Sequence, residues 1–315
     1  MENSTVNGRA FIGETKKLGS LVCRNMKCYF KDKILFFVSL ITPLILLVLF
    51  VTFLRSVYLE SFNGIFAVFE FTPTDVSVVE GLAGSWLLSS ILAVCSVTVA
   101  ICSNAVMIND KIENSISDIR VSPVKGVTLS LSYFIANFIV TLIVMLVVAV
   151  IGFIYLAIVG WYIPVSDVFM IIVDIICCVL FGTLLSGVIE SFISSQGGLS
   201  AVSSLVSAMY GFICGAYMPL SQFAEGMRNV IGVLPGTYSV GIVRKHFMGG
   251  YVQKLGDMGL SVQGQKALLD GFDGNLYVGS TQIPLWGMYI ILLGACAVLL
   301  AVYVSLVVIK NKKRR

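Results

Sequence analysis

The sequence predicts an all-α integral membrane protein: six transmembrane helices, a short helix on the cytoplasmic side and a re-entrant helical segment on the outer side. Three observations carry that prediction. Of 315 residues, 57% are hydrophobic and only 12% charged, against roughly 25% charged in a soluble domain. Six apolar runs approach or exceed the ~20 residues that a helix needs to cross a bilayer. The basic residues gather in alternate polar segments, as topology anchors do.

Residues 1–33 are polar and basic, with Arg9, Lys16, Lys17, Arg24, Lys27, Lys31 and Lys33 against Glu2, Glu14 and Asp32. The charged stretch is too long for a secretory signal, and no small-residue cleavage site follows the apolar run. Leu18, Leu21, Val22 and Met26 share one helical face, so this segment is either an interfacial helix or a disordered lead-in. The membrane domain is residues 34–309. Its first span is Ile34–Leu54, with Pro43 inside it, a residue that packed membrane helices tolerate. An outer loop, Arg55–Glu80, precedes the second span at Leu82–Ile108.

Residues 109–126 (NDKIENSISDIRVSPVKG) form a polar island between apolar runs. Ile112, Ile116 and Ile119 recur at helical spacing, while Asp110, Lys111, Glu113, Asp118 and Arg120 fall on other faces. Pro123 ends the helix at Ser122, because a residue before proline is pushed out of the α region. Such an amphipathic helix suits docking into a groove on another protein, and a solvated loop is the competing reading. The third span, Val127–Ile158, ends at Gly160-Trp161-Tyr162-Ile163-Pro164, an aromatic belt beside a turn. The fourth is Val168–Ile189, and a turn at Glu190–Gly198 leads to the fifth, Leu199–Tyr217.

Span five carries Ser203, Ser207, Gly211 and Gly215 at four-residue spacing, a stripe that lets two helix backbones approach. In the outer segment, residues 218–283, Phe223, Met227, Val230, Ile231 and Leu234 mark one apolar face up to Pro235. A second patch, Tyr238, Val240, Ile242 and Val243, stops at Arg244-Lys245-His246. Both pieces are too short to cross, and read as helices dipping into or lying on the outer leaflet. Residues 249–279 read as an extracellular loop. The sixth span, Pro284–Ile309, precedes the basic tail at residues 310–315.

Charge sets the orientation. The N-terminal segment holds seven basic residues, the 109–126 island three and the tail five, against Arg55 alone in the first outer loop and none in the second. Both termini and the island are therefore cytoplasmic. A net charge of +4 needs no nucleic-acid partner. Six of the eight cysteines lie in apolar runs, and no CxxC pair occurs, so they read as small packing residues rather than metal ligands or bridges. His246 is the only histidine, which leaves no multi-histidine metal site, and it reads as exposed.

Two stretches resemble one family. Asp110-Lys111, Glu113, Asp118 and Val121-Ser122-Pro123-Val124 sit where type-2 ABC transporter permeases carry an acidic amphipathic segment ending in Ser-Pro. Met218-Pro219-Leu220-Ser221-Gln222-Phe223, then Leu234-Pro235 and Arg244, resembles that family's outer re-entrant segment. Asn114 stands where many members have glycine, and Ser117 where many have a second acid. The resemblance implies a type-2 permease fold in a bacterial plasma membrane, where membrane lipid is the surrounding partner. It implies two permease subunits, identical or related, each docked on one of two ATPase subunits. Asp110, Lys111, Glu113, Ile116, Asp118, Arg120, Ser122 and Pro123 would couple to that ATPase, and Pro219, Phe223, Pro235 and Arg244 would build the re-entrant segment. ATP and Mg would sit on the partner, with no cofactor and no catalytic residue on this chain. This agrees with the lack of a G-x-x-x-x-G-K-[ST] phosphate loop in the sequence. The cargo implied is a drug, peptide or lipid-like compound moved outward, with glycan export as the alternative.

Two further classes follow from single residues. Asp174 within span four and Glu190 at its inner end are candidates for an ion-coupled transporter, since acids in a membrane are costly. A wet vestibule and an interfacial position are their plainer readings. Arg228, Arg244 and Lys245 read as a solvated outer rim, or as contacts to headgroups or an anionic substrate.

Overall fold

The computed structural model describes residues 2–49, 52–53, 55–121, 124–279 and 281–313. Two helices open the chain, α1 (Glu2–Lys31) and α2 (Lys33–Leu49). The axis bends by 75° between Gly13–Lys31 and Lys33–Leu49. Asp32 makes the corner, its carboxylate accepting from Leu35 N at 3.0 Å and so capping α2. Helix α2 covers the predicted Ile34–Leu54 span as far as Leu49, residues 50, 51 and 54 lie outside the described residues, and the basic lead-in is a helix lying against a later span. Leu18, Leu21, Val22 and Met26 are half-buried.

Residues 55–80, read from sequence as a loop, hold helix α3 (Arg55–Val68). Tyr58, Phe62 and Phe66 bury its inner face. Next comes α4 (Val76–Ser103), capped by Asp75, which accepts from Ser77 N at 2.9 Å. After one residue, Asn104, the chain continues as α5 (Ala105–Ile112). Together α4 and α5 form one 37-residue span, Val76–Ile112, almost wholly enclosed by protein. Helix α6 (Ser115–Val121) follows, then α7 (Gly126–Val159), α8 (Val165–Glu190) and α9 (Gln196–Ile213).

The outer segment departs most from the sequence reading. After α10 (Glu225–Val233), a single 23-residue helix, α11 (Pro235–Asp257), runs straight through Arg244-Lys245-His246. The presumed extracellular loop at 249–279 contains the end of α11, helix α12 (Val262–Gly271) and strand β1 (Leu276–Val278). β1 pairs antiparallel with β2 (Thr281–Ile283), Leu276 opposite Ile283. Helix α13 (Leu285–Lys313) closes the fold.

Among the described residues, four helices are long and apolar enough to cross a membrane: Val76–Ile112, Gly126–Val159, Val165–Glu190 and Leu285–Lys310. The bent α1–α2 pair counts as a fifth when taken as one span, and α9, at 18 residues, is shorter than the run predicted for span five. The core forms around α4, which packs against α2, α7, α8 and α11. Close approach of α4 and α8 needs Gly182, where an added Cβ would lie 2.2 Å from Ser96 O. A methyl there forces the two backbones apart. Gly182→Ala is therefore expected to cost about 1–3 kcal/mol, the range for overpacking. Gly197→Ala, with nothing within 4 Å, is the control, and unfolding temperatures in detergent compare them.

Candidate functional site

The polar island divides between two structures. Asn109, Asp110, Lys111 and Ile112 belong to the end of the α4–α5 span, and only Ser115–Val121 form the separate helix α6. Asn114 makes the break with φ +61, a left-handed conformation that asparagine and glycine accept and branched residues resist. Beyond it, Ile116 and Ile119 pack against Met107, Leu129 and Tyr133. Ile112, grouped with them by spacing, lies across the break and is 41% exposed. Glu113 and Asp118 face solvent. Ser122, Pro123 and the side chain of Arg120 lie outside the described residues.

Asp110 corrects its sequence reading. It is 6% exposed and turned inward. Arg24 of α1 grips both its oxygens, with Nη2 to Oδ1 at 2.8 Å and Nη1 to Oδ2. Tyr133 of α7 donates to Oδ2 at 2.5 Å. A planar guanidinium fork matches a carboxylate in this way, and lysine has no equivalent geometry. Asn25 Nδ2 donates to Ser132 Oγ at 3.3 Å, and Thr128 Oγ1 to Glu14 at 3.1 Å, so α1 is fastened along α7. Lys111 also turns inward, its Nζ donating to Glu190 O at 3.4 Å. Asp110 and Lys111 thus brace the segment that presents α6, and only Glu113, Ile116 and Asp118 of the described set remain on or beside that short helix.

Order and geometry now converge on one family. The family model for ABC-2 type transporters matches residues 16–248, from within α1 to the middle of α11. The chain belongs to the ABC-2 type transporter family. Among curated proteins, none matches it. It is thus a multi-pass membrane protein and the membrane subunit of an ABC transporter, a type of assembly that includes an ATPase.

At the other end of this permease, Arg244 of α11 is 1% exposed, not part of a solvated rim. Its Nη2 donates to Ser90 Oγ at 2.8 Å and Gly215 O at 3.2 Å, and its Nη1 meets Asp273 Oδ2 at 3.2 Å. The guanidinium also lies 4.7 Å from the ring centre of Trp86, a cation–π distance. Burial pushes the Asp273 carboxyl up to about 6, while Arg244 and the Leu220 amide pull the other way. Arg228 is exposed as read, and half-buried Lys245 donates to Asn275 Oδ1 at 3.0 Å. Pro219 is buried ahead of the single turn Leu220–Gln222, with Phe223 half-buried behind it. Pro235 opens α11 at its first position, where the missing N–H costs nothing.

His246 is buried, not exposed, with Nδ1 2.7 Å from Asp174 Oδ2; Tyr289 donates to the other oxygen. Asp174, at 0% exposure, therefore lies in no vestibule. Sequence order gives no hint of this pairing, since 72 residues separate the two. On α9, Ser203 and Ser207 are half-buried and Gly211 buried, whereas Gly215 has left the helix at φ +70. The ring of Tyr217 fills the space over Gly211, where a Cβ would meet it at 2.3 Å. That part of the stripe packs within the chain.

Removing the Asp110 carboxylate strands the Arg24 guanidinium and the Tyr133 hydroxyl. Asp110→Ala is expected to cost about 1–3 kcal/mol and to free α1. Faster tryptic cleavage at Lys16 and Lys17 would report that release, and cleavage at the parental rate would refute the brace.

Proposed function

We propose that this permease is an exporter subunit which receives force at α6 from a separate ATPase and moves an amphipathic drug, peptide or lipid-like compound outward. The observation that carries this reading is the mounting of α6. A seven-residue helix with exposed Asp118, and exposed Glu113 just before it, rests through Ile116 on the base of α7 and joins a 37-residue span at Asn114. A load applied to so short a helix passes into the span it adjoins. The basic residues of α1, the island and the tail put that end in the cytoplasm by the positive-inside rule, where ATP and Mg would be held by the partner. Any such stroke requires the ATPase states to interact differently with two permease conformations.

The cargo reading is supported by a cleft of about 400 Å³ between α2, α3, α4 and α9. Tyr58, Trp86, Ile91, Phe212, Tyr217 and Met218 line it, a mainly apolar wall with an adaptable methionine. Beside it, α2 presents Phe37, Ile41, Ile45 and Val48, and α9 presents Leu205, Met209 and Phe212, all exposed. These faces suit a second permease copy, identical or related, which would close the cleft into a pathway served by two ATPases. Six spans then follow from counting the α1–α2 pair and α9 with the four long helices. Glycan export has less support, because few polar groups line the cleft. An ion-coupled reading of Asp174 is weakened by its engagement with His246 and Tyr289.

Charge reversal at the exposed acids tests the docking. Glu113→Lys and Asp118→Lys should leave membrane insertion unchanged while lowering ATP-dependent efflux of a fluorescent amphipathic dye by about tenfold, within the usual range of coupling energies. Efflux at the parental rate in both variants would remove α6 from the coupling path. Dye transport by the purified chain in liposomes without any ATPase would overturn the whole reading.

A further inference from the structure

Glu190, the last residue of α8, is enclosed at 0% exposure, and neither carboxyl oxygen meets a hydrogen-bond partner among the described residues. Asn104 and Ser186 lie nearest its carboxyl, and their closest bonds run elsewhere. Ser186 Oγ donates to Ala100 O at 3.1 Å, and Asn104 Nδ2 reaches Ser186 Oγ at 3.4 Å. A buried polar group without a partner is rare enough in folded proteins to require a reason. Two features beside it supply one.

The first is Asn104, the interruption in the Val76–Ile112 span. There Met107 N bonds back to Asn104 O at 3.0 Å, a three-residue step in place of the regular four. Such a break lets α5 change angle against α4 without dismantling either helix. The second is Lys111 on α5, whose ammonium bonds the main-chain oxygen of Glu190 at 3.4 Å, while the carboxyl of the same residue takes no hydrogen bond. An acid on α8 and a cation on the hinged segment thus sit side by side, the cation held by the main-chain oxygen of the acid's own residue.

We propose that Glu190 is a coupling latch: when α5 and α6 swing about Asn104, the Lys111 ammonium passes from the main-chain oxygen of Glu190 to its carboxylate, and that ion pair holds the second conformation. The inference rests on the reading that α6 receives the ATPase stroke. In the conformation described here the latch is open. The unmet carboxyl raises the energy of this state, and the pair formed in the other state lowers that one. Both effects bring the two conformations close enough for a nucleotide-driven partner to switch them. Glu190 and Lys111 act as positioning residues, touching neither substrate nor nucleotide.

The test uses Glu190→Met, Glu190→Gln, Lys111→Met and the Glu190→Met/Lys111→Met double variant, each purified with the ATPase that accompanies the parent. Glu190→Met should raise the unfolding temperature by about 2–4 °C, because the stranded carboxyl is gone. The same change should lower the kcat of permease-stimulated ATP hydrolysis in proteoliposomes by about tenfold, with KM for ATP unchanged. Glu190→Gln, which keeps the shape of the side chain, should show the same loss of kcat even if the methionine folds poorly. Lys111→Met should match it, and the double variant should lose no more than either single change. A residue needed only for folding would lower both unfolding temperature and activity, and that outcome overturns the latch. Unchanged kcat in both Glu190 variants, or losses that add in the double variant, overturn it as well. A parent complex with no permease-stimulated hydrolysis would instead sink the coupling reading, and the latch with it.

Discussion

Enclosure of α4 on nearly every side is the constraint from which the rest of the structure follows. Lipid offers no hydrogen bonds, and the interior of a helix bundle offers few, so polar atoms on an enclosed span are satisfied locally or paired, Thr98 Oγ1 excepted. The serines of α4 take the local route: Ser85, Ser89 and Ser96 donate to carbonyls three residues back, and Ser90 to the carbonyl of Trp86. Trp86 takes the other route, donating Nε1 to Phe272 O at 2.9 Å. That bond draws the turn after α12 down onto the bundle, where Phe272 also packs on Phe62 with ring centres 4.1 Å apart. The outer segment is therefore an extension of the α4 packing rather than an appended cap.

By the same enclosure, an input at α6, where one is applied as proposed, would reach the rest of the permease. Helix α4 touches α2, α7, α8 and α11, so a shift at its α5 end cannot remain local. Arg24 brings α1 into the same unit through Asp110, and Tyr133 brings in α7. Close-packed interiors move as bodies that switch between arrangements rather than deform smoothly. A two-state rocking motion suits such a unit better than bending of single helices does.

What the sequence made legible tracks this physics closely. The runs that became α7, α8 and α13 were read almost to their ends, because their lipid-facing sides are continuous stretches of Val, Ile and Leu. Failures came where tertiary pairing overrides local character. Arg244-Lys245-His246 looks like the end of an apolar patch, yet α11 passes through it because Asp273 and Asp174, distant in the chain, accept from or pair with two of the three side chains. Asp110 looks like a docking acid because its partner, Arg24, lies 86 residues away. Asn114 carried a readable signal, an asparagine at a position that favours a left-handed backbone, but nothing in the pattern showed that the span would end there.

Helix α8 offers a comparison within one element. Its two buried acids, Asp174 and Glu190, lie about 24 Å apart along the axis at the usual rise per residue. Asp174 is met from α11 and α13 by His246 and Tyr289, while the Glu190 carboxyl has no hydrogen-bond partner among the described residues. Two residues before His246 on α11, Arg244 joins α4 to the turn after α12 through Ser90, Trp86 and Asp273. Near Glu190 the span is broken at Asn104, and a few residues farther on comes a second break at Asn114. Satisfied polar networks fix one arrangement, whereas interrupted helices beside an unmet group lower the cost of adopting another. The end carrying α10–α12 is thus cross-linked by Arg244 and Asp273, whereas the end carrying α6 combines the Arg24–Asp110–Tyr133 brace with two helix breaks and an unmet carboxyl. Under the proposed coupling at α6, that distribution would let the permease hold one end in shape while the other is driven.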